Sequence, residues 1–478
     1  MDKNNKSESN KELYYIDKTY EKVEISDSSV EEINEEIDGH TCWKKTLDKI
    51  KAGSLIEGIF NLSIFSLGVG LLALPQKVKY MSLFMTPIII IIGGVINYWT
   101  LTILGDASRK YKIAKYEEAI KLLFNKKLSY FFIIVMTINK FGKIIVFQII
   151  LYKFLGAVVN KLFSFGYENM ENFATRSFWG KKKVKILVCY LITYIFLFPL
   201  CLIKTISKMR YSSAIGVTAL FLTILIILIQ FPSFYYHNIH QRKHTINFLD
   251  LKYGFDKNMQ FFQSISTIIY AFECHTGLFP VLSGLNKPSK IRVQKVLRNA
   301  VLIDVISCMI ISLSGYLSQP FDTPELIIER QTIYKHDFLM IIGYILFFCT
   351  LVTKIGPNYN GFRITILNLL KYESSNYPNY INVIITFITL TVSTFIAAYL
   401  KKIISEYLSL VGTFCSIIVA IIMPGLIYIK GNDYSIYHYK NIFTIFLIFI
   451  VSSIGLCTIF CTINKIYPIS KIHFRKLN

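Results

Sequence analysis

The sequence predicts an all-α membrane protein with about eleven transmembrane helices, and three observations carry this prediction. Hydrophobic residues make up 53% of the 478 residues and charged residues 17%, which is too little charge to cover several soluble domains. The mean hydropathy is +0.47, as expected for a chain whose solvent is largely lipid. About eleven stretches of mainly apolar residues are long enough to cross a bilayer.

The apolar stretches follow one another along the whole chain after the first 50 or so residues. Two of them are longer than a bilayer requires, so we expect them to be tilted or to extend into the aqueous phase as helix. These two are 128–160 and 336–370. The other predicted spans are 54–74, 82–105, 184–203, 211–231, 258–283, 297–318, 380–400, 405–429 and 441–463.

Two of the stretches, the first and the sixth, are interrupted midway by helix breakers and by small or polar residues. The first reads NLSIFSLGVGLLALP and is interrupted at Ser66, Gly68 and Gly70. The sixth reads YAFECHTGLFP and is interrupted at Glu273, Thr276 and Gly277. Interrupted segments at matching places in two halves are typical of transporters whose substrate contacts unwound backbone near the membrane midplane. The pattern therefore predicts a secondary transporter.

The ends of the chain differ in composition from the rest. Residues 1–50 are polar and rich in Glu, Asp, Ser and Lys, which predicts a disordered cytoplasmic tail. The transmembrane domain is expected to cover 51–465, and 466–478 to form a short carboxyl-terminal tail.

The net charge of +22 would suggest nucleic-acid binding in a soluble protein. Here the basic residues lie in loops beside apolar stretches, where they fit anionic lipid headgroups, so we exclude nucleic acid and expect membrane lipids as partners. The basic loops after the second, fourth and sixth spans favour a cytoplasmic amino terminus, although Lys181–Lys183 lie on the opposite side in that orientation. The membrane itself is left open between the plasma membrane and an internal, vacuolar or lysosome-like one.

The sixth span and its exit, AFECHTGLFPVLSGLNKPSK, resemble the AF-x-x-H-x-x-x-LP…L-x-x-PSK pattern of the amino acid/auxin permease family, within the amino acid-polyamine-organocation superfamily. Weaker similarities to the same family follow in the expected order: NLSIFSLGVGLLALP, KYEEAIKLLF, GYLS at Gly315–Ser318, and GTFCSIIVAIIMPGLIYIK. The resemblance implies a five-plus-five inverted repeat of the leucine-transporter type, with repeats at about 54–231 and 258–429 and one extra helix at 441–463. It also implies transport of amino acids, often coupled to protons or sodium.

The break in the first span is a candidate substrate site formed by Ser66, Gly68, Val69 and Gly70. A chain offers backbone donors and acceptors to a substrate only where its helix is interrupted. The second half of the span would begin near Gly70, and the positive end of its dipole could hold a substrate carboxylate. The alternative is that Gly68 and Gly70 form a small-residue patch for helix packing.

The break in the sixth span supplies the other candidate substrate residues, which are Phe272, Glu273, Thr276 and Gly277. A carboxylate in an apolar span is costly to ionise, so Glu273 is a candidate for binding the substrate ammonium or for carrying a coupled proton. The alternative is structural pairing with a lysine or a backbone donor. His275 could share the proton or could cap a broken helix.

Lys354 is the third candidate coupling residue, because it lies near the centre of the eighth span, too deep to reach a headgroup. In sodium-coupled relatives this region and the first span supply oxygen ligands to the ion. This chain departs from them, with Ile64 where they have an asparagine and Lys354 where an oxygen ligand is expected. Our hypothesis is sodium-independent transport, proton-coupled or facilitative; the alternative is a salt bridge of Lys354 with Glu273, Asp304 or another buried acid.

Three further charged residues fall within predicted spans, namely Lys140, Lys143 and Asp304. Each is expected to face the interior of the protein. Phe147 lies where relatives often carry an aromatic residue near the substrate, but core packing is the preferred interpretation.

Two other function classes stay open on the sequence alone. One is a non-transporting amino acid sensor on the same fold, and the other is a transporter of another small solute such as a polyamine, a choline-like cation or a drug. An enzyme is not expected, since no serine–histidine–acid or metal-ligand constellation is found and no cofactor is indicated. The sequence does not determine which amino acid is moved or the oligomeric state.

Overall fold

The computed structural model describes residues 53–163, 182–203, 210–241, 260–320, 322–330, 338–370, 378–400, 412–432 and 434–466. The predicted amino-terminal tail and all but the first residue of the predicted carboxyl-terminal tail lie outside these ranges. Within them the chain is helical and contains no strand.

The helices of the first half are α1 (Leu55–Ser66), α2 (Val69–Met81), α3 (Met85–Tyr111), α4 (Tyr116–Leu123), α5 (Lys126–Phe163), α6 (Lys182–Ile192) and α7 (Arg210–Gln241). Those of the second half are α8 (Gln260–Phe272), α9 (His275–Ser283), α10 (Lys290–Ser318), α11 (Phe338–Leu369), α12 (Asn379–Leu400), α13 (Met423–Gly431) and α14 (Tyr439–Ile466). Helix α6 continues through a π-helical turn and a short helix to Cys201, and α13 is preceded by π-helical turns from Gly412.

The number of membrane spans is consistent with the prediction of about eleven. Among the described residues, 9 helical segments are long and apolar enough to cross a membrane, and the pair α1–α2 raises this to 10. The helix at Ile186–Cys201 is apolar but shorter. Helix α10 begins at Lys290, earlier than the predicted 297, because Ser289 caps it by accepting a hydrogen bond from the amide of Arg292. A window that counts apolar residues misses this polar first turn.

The first span is broken where the sequence predicts. Helix α1 is capped by Ser54, which accepts from the amide of Glu57, and the Glu57 carboxylate accepts from the amide of Gly53, the residue before the cap. It ends at Ser66 because Leu67 and Gly68 are both non-helical, and α2 starts at Val69. The two helices, here called the first broken span, are bent by 54°.

The sixth span is also interrupted, at Glu273 and Cys274. Helix α8 ends at Phe272 and α9 starts at His275, so the predicted breakers Thr276 and Gly277 lie in the first turn of α9. This pair, here called the second broken span, runs from Gln260 to Ser283 as one span of 24 residues, of which 83% of the most apolar part is buried. The corresponding share for α14 is 22%, so the second broken span is central and α14 is peripheral.

Eight of the spans among the described residues pack into two groups of four. The first group contains the two broken spans, α3 and α10, which pack on one another. The second group contains α5, α6, α11 and α12, with α5 in contact with both α11 and α12. Helix α7 packs against α11, α10 and α1 and so contacts both groups.

A buried arginine joins three members of the second group. The fully buried Arg363 of α11 donates hydrogen bonds to the carbonyl oxygens of Cys201 and Ile203, at 2.8 and 3.0 Å, and to the amide oxygen of Asn382 at 2.7 Å. The last carbonyl groups of a helix have no partner within it. Arg363 and Asn382 therefore cap the end of the fourth span from the neighbouring helices.

Helix α4, the predicted amphipathic segment KYEEAIKLLF, is fixed to the spans by a buried ion pair. The Lys140 Nζ of α5 lies 3.2 Å from the carboxylate of Glu117 and 2.7 Å from Oγ1 of Thr365 on α11. Thr365 also donates to Glu117 at 2.8 Å. Burial raises the pKa of Glu117, but the Lys140 charge and these hydrogen bonds outweigh it, so the pKa lies below its ordinary value.

Replacing Glu117 by glutamine is expected to lower the melting temperature of the detergent-solubilised protein at pH 7, because Lys140 loses its buried counter-charge. A carboxyl group whose pKa is lowered by folding stabilises the protein above its ordinary pKa of 4.5, and the contribution is lost as the pH falls through the folded pKa. The difference between variant and parent should therefore shrink as the pH falls below 4.5. Glu118→Gln is the control, since Glu118 pairs with Lys115 at the surface. A difference that is independent of pH would contradict the prediction.

Candidate functional site

The two broken spans contact each other closely at their breaks. A Cβ atom on Gly277 would overlap the ring of Phe65, and a Cβ atom on Gly70 would lie 2.9 Å from the Cα atom of Ala271. Only residues without side chains allow this approach. Gly70 thus lies at a close helix–helix contact, as in the helix-packing alternative. The same contact brings the two interrupted backbones together.

Lys354 contacts the break of the first span directly. Its Nζ donates to the carbonyl oxygens of Leu67 at 2.7 Å and Ser66 at 3.1 Å. The same ammonium lies 5.5 Å from the ring centroid of Phe147, which is buried in the core as expected. Among the described residues Lys354 forms no ion pair within 4.0 Å, so the contact is with carbonyl groups rather than with the acids considered from sequence.

Two neighbours complete this contact. Ser66 Oγ donates to the carboxylate of Asp304 on α10 at 2.5 Å. A Cβ atom on Gly68 would overlap the Nζ of Lys354 and would lie 3.0 Å from its Cε. The φ of Gly68 is −178°, an extended conformation open to any residue, so it is space for the lysine that requires glycine here.

Glu273 lies at the break of the second span and is buried with three partners. Lys143 Nζ and Asn139 Nδ2, both from α5, each lie 2.8 Å from its Oε1. Ser416 donates to its other oxygen. The pairing of Glu273 with a lysine that the sequence left open is therefore present, and a role of Glu273 in substrate binding or coupling stays a prediction.

The remaining predicted residues surround the same breaks. His275 Nε2 is 2.8 Å from Oγ1 of Thr100 on α3, and its Nδ1 has no hydrogen-bond partner among the residues that the structure describes. Phe272 and Thr276 are buried beside it. Val69 is the first residue of α2, but its side chain lies outside the described residues.

Sequence reasoning missed the residues that hold Glu273 and His275. Lys140, Lys143 and Asp304 were expected to face the interior and do so. Asn139, Ser416 and Thr100 were not singled out, because single polar residues in apolar spans are common. The cluster N-K-x-x-K at 139–143 is the one available signal, since an amide and two lysines fall within little more than one helical turn.

The arrangement has the parts needed to bind a small zwitterion. Neither Gly68 nor Cys274 caps its helix with a side chain, so the first amide groups of α2 and α9 carry no side-chain acceptor from the cap position. Such helix amino termini favour anions. Around them lie two basic side chains, Lys143 and Lys354, and two acidic ones, Glu273 and Asp304.

The fold is similar to a crystal structure of a mutant Eremococcus coleocola manganese transporter. The TM-score is 0.51 with 12% sequence identity, and the match covers 92% of both chains. At this identity the likeness shows the fold alone. The predicted fold class, an all-α membrane protein of the leucine-transporter type, is confirmed.

Two relatives illustrate the sequence similarity. The amino acid transporter AVT6E of Arabidopsis thaliana is 26% identical over 338 residues, covering 68% of this chain and 65% of that protein. Vacuolar amino acid transporter 2 of Saccharomyces cerevisiae is 22% identical over 274 residues, covering 56% of this chain and 52% of that protein. The matches thus span between half and two thirds of these relatives. The family model for transmembrane amino acid transporter proteins matches residues 51–467. The resemblance read from the sixth span is confirmed: this chain belongs to the transmembrane amino acid transporter family.

Proposed function

We propose that this protein is a secondary active transporter that moves amino acids across a membrane by alternating access, and that it is proton-coupled or facilitative rather than sodium-coupled. The substrate would bind where the two broken spans meet. Its carboxylate would lie at the amino terminus of α2, near Gly68, Val69 and Gly70, and its ammonium near Glu273. Membrane transport is supported by the family and by the fold.

The proposal of amino acids as substrates rests on the relatives. AVT6E and vacuolar amino acid transporter 2 are both named for amino acid transport, and the second name includes the vacuole. An internal membrane is therefore our proposed location, with the amino terminus in the cytoplasm.

The contact of Lys354 with the carbonyl oxygens of Ser66 and Leu67 is the observation that carries sodium independence. Carbonyl oxygens at a helix break are the ligands that a sodium ion would use in this fold. A sodium ion on the same oxygens would lie about 4 Å from the ammonium, and two unit charges at that distance repel by about 4 kcal/mol at an effective dielectric constant of about 20. This corresponds to an affinity about a thousandfold lower. In this proposal the Lys354 ammonium takes the place of the cation.

The full chain should be reconstituted in liposomes and tested with a panel of radiolabelled amino acids, with external sodium or choline and with or without a pH gradient. We expect uptake of at least one amino acid that is unchanged when choline replaces sodium. Strict sodium dependence would refute sodium independence. Ligand-induced stabilisation without uptake would indicate a sensor, and uptake of polyamines or choline but of no amino acid would indicate a transporter of another solute.

A further inference from the structure

The two broken spans are held by lysines at equivalent places in the two halves of the chain. Lys354 of α11 contacts the break of the first broken span, and Lys143 of α5 contacts Glu273 at the break of the second. Helices α5 and α11 hold the same place in the order of spans, since each is the third span of its half and the broken span is the first. Each half thus contributes one lysine to the break in the other half.

A second pair of contacts repeats the relation. Asp304 of α10 accepts a hydrogen bond from Ser66 at the first break, and Thr100 of α3 bonds His275 at the second. Counted from Met85 and Lys290, where α3 and α10 begin, Thr100 and Asp304 differ in position by one residue. Both pairs of contacts therefore join a helix of one half to the break in the other half or to a residue beside it.

Lys143 and Lys354 connect the two helix groups, whereas Thr100 and Asp304 form contacts within one group. Thr100 and Asp304 lie on helices of the first group and bond residues of that same group. Lys143 and Lys354 lie on the second group and bond the broken spans of the first group. These two lysine contacts therefore lie between the two groups, where a movement of one group against the other would act on them.

Lys140 provides an internal comparison on the same helix face. It lies about one helical turn from Lys143 and also forms a buried ion pair, with Glu117. Its partners, however, are α4 and α11 rather than a broken span. The same chemistry at nearly the same depth therefore occurs in a lysine that does not itself bond a broken span.

We infer that Lys143 is a positioning residue of the transport cycle, which acts through Glu273 to hold the second broken span as Lys354 holds the first, and that the Lys143–Glu273 pair is broken and re-formed as the two helix groups move. This inference rests on the proposed transport function. In this inference the Lys143–Glu273 pair acts in the conformational step. Loss of the pair should therefore slow turnover more than it weakens substrate binding.

The test compares uptake by the reconstituted full chain with uptake by Lys143→Met, using an amino acid that the parent transports. We expect kcat to fall at least about tenfold and KM to change less than about threefold, since a transition that depends on this pair is affected while the substrate's own contacts remain. Lys143→Arg keeps a charged donor and should retain at least about a third of the parental kcat. The control is Lys140→Met combined with Glu117→Gln, which should keep kcat within about threefold of the parent.

If Lys143→Met does not yield folded protein, Lys143→Gln removes the charge, leaves Glu273 in place and offers its carboxylate a neutral amide donor. Its kcat should remain low. A parental kcat in Lys143→Met or Lys143→Gln, a loss confined to KM, or an equal loss in the control pair would overturn the inference. A parent that transports no amino acid would instead overturn the proposed function, and this inference with it.

Discussion

Replacing Lys354 by methionine is expected to lower amino acid uptake by at least about tenfold, because the carbonyl groups of Ser66 and Leu67 lose the donor that fills the break. An unsatisfied buried polar group costs about 1–3 kcal/mol, and about 1.4 kcal/mol already corresponds to a tenfold change in an equilibrium. Methionine keeps most of the length and apolar contact of the lysine stem. Lower uptake would therefore be caused by the missing ammonium group rather than by a cavity. Uptake into proteoliposomes, normalised to folded protein, is the measurement.

A second variant disturbs the same contact and leaves the lysine in place. Gly68→Ala puts a methyl group where the Nζ of Lys354 lies, so the ammonium must move away from the carbonyl oxygens. We expect uptake to fall in this variant too. Gly343→Ala on α11 is the control, since its methyl group would meet Ile226 at an ordinary 3.8 Å. Parental uptake by both Lys354→Met and Gly68→Ala would contradict the role given to this contact.

Replacing Lys354 by serine tests whether a sodium ion can bind at the first break once the lysine is removed. The variant would leave two carbonyl oxygens and a hydroxyl group around a space without a fixed cation, which are ligands that suit a small hard cation. Any residual uptake should then be higher in sodium than in choline. Equal uptake in the two salts would mean that the break does not bind sodium even when the lysine is removed.

The second large effect is expected at the glycines where the broken spans meet. Gly70→Ala should lower stability by about 1–3 kcal/mol, the usual cost of overpacking, because the added methyl group would meet the backbone of Ala271. Gly277→Ala should cost a similar amount, because the methyl group would overlap the ring of Phe65. Thermal unfolding of the purified protein in detergent measures both changes.

The two glycines should respond differently to a compensating change. Phe65→Ala removes the ring that the methyl group of Gly277→Ala would strike. The destabilisation of the double variant should therefore be smaller than the sum of the destabilisations of the two single variants. The same Phe65 substitution should not rescue Gly70→Ala, where the obstacle is backbone. Gly343→Ala should be neutral or slightly stabilising, since alanine favours a helix by up to about 1 kcal/mol over glycine. Rescue of both glycine variants, or of neither, would show that the breaks are not packed as described.

The spans and their interruptions are predictable from the sequence because both depend on local properties. Apolar runs are long enough to cross a bilayer wherever the backbone must be bonded internally. The breaks at Leu67–Gly68 and Glu273–Cys274 contain the predicted breakers Gly68 and Glu273. The other predicted breakers lie within three residues of them, namely Ser66, Gly70, Thr276 and Gly277. The sequence also predicts that Glu273 has a polar or charged partner, since a carboxylate in an apolar span needs one.

The partners of those residues were not predictable in the same way. Lys354 is 288 residues from Ser66 in the chain. The sequence alone was compatible both with a contact to a carbonyl group and with pairing to an acid. Lys143, Asn139 and Ser416 could each have faced other helices. The choice depends on which helix faces pack together, and this is a property of the whole bundle.

The sequence by itself determined that the chain is a membrane protein of this family with two interrupted spans, since hydropathy, helix breakers and the motif after the sixth span are all local. Only the tertiary structure decided that one lysine from each half holds the break in the other half. The reason is physical: a buried ammonium must find oxygen partners inside the protein. Which oxygens it finds is decided by helix packing over hundreds of residues rather than by its neighbours in the chain.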